Sequence, residues 1–163
     1  MSAEKGVEKC MATRNIVKEG DPVLRKKSRP VEVFDERLFT LLDDMKDTLT
    51  EAAGIGLAAV QVGVLKRVFI VDTGESVVEF INPSIIKQSG KESAHEACLS
   101  CPGEYGTVTR PTKVRVRALN RFGMPFETDG EEIIARAFCH EYDHLDGVLY
   151  KDIATEMMKD EID

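Results

Sequence analysis

Between Phe34 and Ala53 apolar residues recur at three- and four-residue steps. Leu38, Leu41, Leu42, Met45, Leu49 and Ala52 make one stripe. That period is helical, so the spacing predicts an amphipathic helix capped by Asp35 and ended at Gly54. Beyond it the period changes. Arg67 to Val71, Val77 to Ile81 and Lys113 to Leu119 read as strands, the last alternating cleanly as Lys-Val-Arg-Val-Arg. Turns are expected at Thr73-Gly74, Asn82-Pro83, Ser89-Gly90 and Phe122-Gly123. Asp21-Pro22 reads as the cap and first position of a short helical turn. A second helix is expected from about Gly130 to Leu145, stopping at Gly147. Thr128 and Glu131 have capping-box spacing, and Glu131 and Glu132 suit the positive end of its dipole.

Two helices amid several antiparallel-looking strands predict an α+β fold rather than a doubly wound sheet. The organisation expected is a polar leader over 1–13, a single domain over 14–154 and a short acidic tail over 155–163. Met11 offers an alternative start. With 163 residues the chain can bury a core without staples. Lys plus Arg is 22 against 29 Asp plus Glu, a net charge of −7, which disfavours a phosphate-tracking DNA or RNA binder. No apolar run is long enough to span a membrane, and the N-terminal residues, of mixed charge, resemble no targeting signal. A cytoplasmic protein is expected. Its cysteines, Cys10, Cys98, Cys101 and Cys139, then read as metal ligands, catalytic groups or buried side chains rather than as disulfides.

The densest chemistry lies in Cys139-His140-Glu141-Tyr142-Asp143-His144-Leu145-Asp146-Gly147. It contains His-Glu-x-x-His on the second expected helix. Residues four apart lie one turn apart on one face, so both imidazoles can reach one metal ion, and Glu141 can take a proton from water beside it. Ile133 and Ala137 share that face, which is expected to point inward. Asp143 and Asp146 read as solvated charges or helix-end partners. A catalytic site needs a third ligand and an open position, for which His95 and the cysteines are candidates. Cys98 and Cys101 form a C-x-x-C, so a closed structural site of Cys98, Cys101, His140 and His144 stands as an alternative. A zinc-dependent His-Glu-x-x-His peptidase with a different third ligand is another. A thioredoxin-like pair lacks its βαβ setting.

Gly54-Ile55-Gly56-Leu57-Ala58-Ala59-Val60-Gln61-Val62-Gly63 is small, apolar and glycine-rich. It lacks the Gly-Lys-Ser/Thr end of a P-loop, and it follows a helix, unlike a dinucleotide fingerprint. Small residues let a peptide backbone approach closely, and Gln61 can donate an N–H to an oxyanion. A tight packed turn with an exposed Gln61 is the other reading.

Together, the segments GIGLAAVQ, EACLS and CHEYDHLDG resemble, in order and spacing, the motifs of the peptide deformylases. The segments from Val17 to Arg25 and from Phe80 to Pro83 are similar to that family too, so the resemblance runs from about Ile16 to Asp152. It implies a metal-dependent hydrolase that removes the formyl group from the N-terminal formylmethionine of newly made polypeptides, giving formate and a free amine. The implied fold sets antiparallel or mixed strands around a central metal-binding helix. The implied ligands are Cys98, His140 and His144 on one divalent ion, Fe(II) natively, with Zn(II), Ni(II) or Co(II) tolerated. Glu141 would be the general base, and the Gln61 amide and the Leu99 N–H would stabilise the oxyanion. Ile55, Gly56, Glu96, Ala97 and Phe138 would bind substrate, whose methionine needs an apolar slot. Where the family has glycine, this chain has Ala97, whose methyl would crowd a peptide or forbid positive φ. Cys139 stands where glutamine is common and reads as buried. Cys101 reads as core, and Tyr105 as a groove residue. Without a basic tail, transient ribosome contact would have to lie elsewhere on the chain.

Overall fold

The computed structural model describes residues 12–160; the first eleven residues of the expected leader, with Cys10 and Met11, and residues 161–163 lie outside them. Five strands form one antiparallel sheet in the order β1-β2-β3-β6-β7: β1 (Gly56–Ala58), β2 (Val68–Asp72), β3 (Val77–Ser89), β6 (Lys113–Leu119) and β7 (Pro125–Glu131). A second antiparallel sheet has the order β4-β5-β8, from β4 (Glu92–Glu96), β5 (Glu104–Arg110) and β8 (Glu156–Lys159). With helices α1 (Glu36–Ala52) and α2 (Ile133–His144), the architecture is α+β. Among the described residues no helix is long and apolar enough to cross a membrane.

The five-stranded sheet is buried on both faces. Along β2, Phe69 and Val71 pack toward α2 with Phe80, Val116 and Phe138, while Val68 and Ile70 pack toward α1 with Leu38, Leu42 and Met45. A strand between two helices needs apolar residues at every position, which is why Val-Phe-Ile-Val shows no alternation. Phe80 is the hub on the α2 side, stacked on Phe69 at 4.7 Å and edge-on to Phe138 at 5.1 Å. α1 follows its apolar stripe. The Asp35 carboxylate caps it by accepting from the N–H groups of Arg37 and Leu38, and Ala53 takes the left-handed turn at its end.

The start of α2 differs from the capping-box expectation. β7 runs through Glu131, and Glu132 turns the chain at φ 54° before Ile133 begins the helix. Gly130 belongs to the strand, where its lack of a side chain lets Phe138 close in: an added Cβ would sit 2.6 Å from the ring. Asn82-Pro83 makes no chain reversal. β3 passes through it with a register shift, and the Asn82 side chain accepts from Val31 N–H and donates to Val31 C=O. The segment read as an acidic tail contributes β8, paired to β5.

Candidate metal centre

Helix α2 carries Arg136, His140 and His144 on successive turns of one face, with Ala137 and Glu141 beside them. The loop after β4 brings in Cys98. The ligand atoms of Cys98, His140 and His144 all lie within 4.8 Å of one another. Cys98 Sγ is 3.4 Å from His144 Nε2, and the imidazole centroids are 5.0 Å apart. One sulfur and two imidazoles is a donor set that divalent transition metals accept, and three protein ligands leave a coordination position open. Burial holds His144 well below its ordinary pKa and so neutral, as a ligand must be. For His140, burial pulls the same way and is the largest single influence, but the hydrogen bond to Glu96 together with the charges of Glu141 and Glu96 raises the value. A hydrogen bond with Cys101, then burial, push the Cys98 thiol up; a cation at the cluster favours the thiolate.

Cys101 stands outside this cluster, packed with Val108, Leu149 and Tyr150, and Cys139 is buried beside the α2 core. His95 is exposed, lies against the Tyr105 ring at 5.0 Å and is not part of the cluster.

The cluster opens on a cleft of about 310 Å³. Ile55, Gly56, Ala97, Leu99, Ile133 and Ala137 are among the residues that line it. Ile133 lies at the rim, 58% exposed, rather than pointing inward. Phe138 is absent from the cleft, contrary to expectation. One residue along the helix turns its ring by about 100°, into the core against Phe80, and Ala137 takes the cleft position. Tyr105 does not reach the cleft either. The backbone at Ala97 avoids the left-handed region, so its methyl is accommodated without that strain. The floor is polar. Gln61, 1% exposed, accepts from Ala58 N–H at 2.9 Å and donates to Ser100 Oγ at 3.1 Å and Cys98 Sγ at 3.6 Å. Glu141 is 4% exposed and its Oε1 has no hydrogen-bond partner among the described residues. Burial pushes its carboxyl up to about 7, against the attraction of His140.

Residues 13–160 match the family model described as Polypeptide deformylase. The chain belongs to the polypeptide deformylase family. It is 56% identical over 142 residues to a peptide deformylase of Alkaliphilus metalliredigens, covering 87% of this chain and 97% of that one. It is also 56% identical over 146 residues to one of Clostridium botulinum, covering 90% and 99%. Among solved structures, the peptide deformylase of Legionella pneumophila superposes with a TM-score of 0.86 at 45% identity, covering 88% of this chain and 87% of the other. That of Thermotoga maritima gives 0.85 at 40%, covering 88% and 98%. This deformylase is a hydrolase that removes the formyl group from newly made polypeptides.

Glu96 was expected only as a cleft wall. Its stem does line the cleft, but its carboxylate contacts Arg110, Arg136 and His140. Burial alone would raise its pKa, yet hydrogen bonds from His140 and Arg110 outweigh that and hold it at about 2. The two arginines were not singled out from the sequence. For one of them the sequence held a signal: Arg136 stands four positions before His140, on the histidine face of the helix. Asp143 accepts from Arg110, and Asp146 from Arg67, so both are helix-end partners as expected.

Proposed function

We propose that Cys98, His140 and His144 hold the single divalent metal of this deformylase and that Glu141 moves the proton of the reaction. The observation that carries this reading is the convergence of the three ligand atoms within 4.8 Å beside a buried carboxylate with a free oxygen. When bound, the ion lowers the pKa of water and polarises the formyl carbonyl. Glu141 accepts the proton of the attacking water and then delivers it to the departing amine nitrogen, so the C–N bond breaks to give formate and a free amine. The Gln61 Nε2–H and the Leu99 N–H face the developing oxyanion. Gln61 is prepared for this because Ala58 N–H holds its carbonyl and so aims its amine toward Cys98 and Ser100.

The peptide lies between two sheet edges. β1 is the terminal strand of one sheet and β4 of the other, so the backbone at Ile55, Gly56 and Ala97 can pair with an extended chain. Ile55, Ile133, Ala137 and the stem of Glu96 form the slot for the methionine side chain. Fe(II) is the native ion in this reading, with Zn(II), Ni(II) and Co(II) accepted by the same donors. The reading places the enzyme in the cytoplasm, meeting formylated chains as they leave the ribosome, and gives it neither DNA nor membrane partners. The test is formate release from an N-formyl-Met peptide by anaerobically prepared Fe(II)- or Ni(II)-loaded protein. Release that disappears on metal removal is expected. No formate from folded, fully metallated protein overturns the reading.

A further inference from the structure

Arg136 and His140 lie one turn apart on α2 and grip the two oxygens of one carboxylate on β4. Glu96 Oε1 accepts from Arg136 Nη1 at 3.0 Å and from Arg110 Nε at 3.1 Å. Glu96 Oε2 accepts from Arg110 Nη2 at 2.7 Å and lies 2.6 Å from His140 Nδ1. Four contacts use the full acceptor capacity of the carboxylate. Arg136 also donates to the carbonyls of Val108 at 2.8 Å and Glu92 at 2.9 Å, which ties its guanidinium to β5 and β4. Arg110 reaches on to Asp143 at 2.8 Å, so two cations and two anions balance. Glu96, Arg110 and Arg136 are each less than a tenth exposed.

Arg110 holds the carboxylate plane through both oxygens. Arg136 adds a second anchor at Oε1 that is itself tied to the Val108 and Glu92 carbonyls, so the carboxylate is fixed to the strand backbone as well as to Arg110. We propose that Arg136 is a positioning residue for the metal centre: it fixes Glu96 Oε1, and thereby the oxygen that sets the ring orientation and tautomer of His140. The inference rests on His140 being a metal ligand. A ligating imidazole whose other nitrogen bonds a carboxylate has its rotation and tautomer set by that carboxylate. His144 Nδ1 has no hydrogen-bond partner among the described residues, so the orienting contact falls on His140.

The test compares Arg136→Met, which keeps the stem, with Arg136→Lys, which keeps the charge. Arg121→Met is the control for a lost ion pair, since Arg121 bridges Glu79 and Asp43 away from the cleft. Co(II) affinity is read by competition with a chromophoric chelator, together with the Co(II) absorption spectrum and the thermal midpoint. Arg136→Met is expected to weaken Co(II) binding on the order of 10-fold and to alter the spectrum. Arg136→Lys should fall between it and wild type. Arg121→Met should lower the midpoint and leave Co(II) affinity unchanged. Wild-type affinity and spectrum in folded Arg136→Met overturn the inference, and the ligand assignment stands if Cys98→Ala still loses the ion. Equal binding by wild type and Cys98→Ala removes the ligand assignment, and the inference with it. Should Arg136→Met not fold, Arg136→Lys decides, because one ammonium cannot serve Glu96, Val108 and Glu92 in the same geometry. Intermediate affinity supports the inference and wild-type affinity overturns it.

Discussion

Gly56 stands against Glu141 so closely that a side chain there collides with the carboxylate: an added Cβ would lie 2.7 Å from Oε2 and 2.9 Å from Cγ. The edge strand β1 is pressed onto the group assigned to move the proton. Gly56→Ala is therefore expected to displace Glu141 while the fold and the three ligands persist. A misplacement near 1 Å costs a reacting group on the order of 100-fold, so kcat should fall by about that factor. Formate release and metal content measured on one preparation check this. Unchanged kcat would show that Glu141 keeps its working position and that β1 gives way instead.

Glu141→Gln keeps the size of the side chain and removes its basicity. Metal content should stay near one ion per chain. Turnover should drop by roughly 100- to 10,000-fold, the usual worth of a general base. Rates near wild type in that variant would sink the proton-transfer role of Glu141.

The two thiols of the C-x-x-C separate an open site from a closed one. Cys98 belongs to the ligand cluster; Cys101 does not, although it packs beside Cys98 with Val108, Leu149 and Tyr150. Cys98→Ala is expected to lose the ion and the activity, and Cys101→Ala to keep both with a modest loss of stability. Metal analysis after gel filtration reads the difference. Metal loss in both variants would point to a closed four-ligand site.

The pair of imidazoles was legible because helical period alone puts residues four apart on one face, and α2 carries them as that rule demands. The α1 stripe was legible for the same reason. What escaped depends on packing partners far away in the chain. Gly130 looked like a helix start, yet it is a strand glycine whose place is dictated by the Phe138 ring. Asn82-Pro83 has turn chemistry, but the Asn82 amide spends itself on Val31 and the strand continues. Ala137 and Phe138 differ by one helical step, so small errors of phase exchange cleft for core. Arg110 and Arg136 went unnoticed because nothing local in the sequence shows that Glu96 waits to neutralise them.

Phe138 tests that exchange. It is fully buried and edge-on to Phe80, with no share in the cleft lining. Phe138→Ala should cost about 3–5 kcal/mol of stability, as large aromatic truncations in a core do. KM for formyl-Met peptides should change little at temperatures where the variant stays folded. Denaturant unfolding and steady-state kinetics check the two halves. A KM change with stability intact would return the ring to the cleft.

Glu79 supplies a pH dependence away from the metal centre. It accepts from Arg121 Nε at 3.0 Å and pairs with Lys46 Nζ at 2.8 Å. Burial would raise its pKa, but hydrogen bonds from Arg121 and Lys46 outweigh that and hold it below the ordinary 4.5. A carboxyl with a lowered native pKa binds protons more readily when unfolded. Its stabilisation is therefore complete above the unfolded value and is lost as pH falls through the folded one. The Glu79 side chain is 11% exposed and its partner Lys46 is 36% exposed, so solvent and salt screen part of the effect. Wild type should be more stable than Glu79→Gln at about pH 6, and the gap should narrow toward about pH 3. Urea unfolding of both proteins across that range measures it. A gap that stays constant with pH would mean that Glu79 stabilises the fold by packing and neutral hydrogen bonding rather than by its charge.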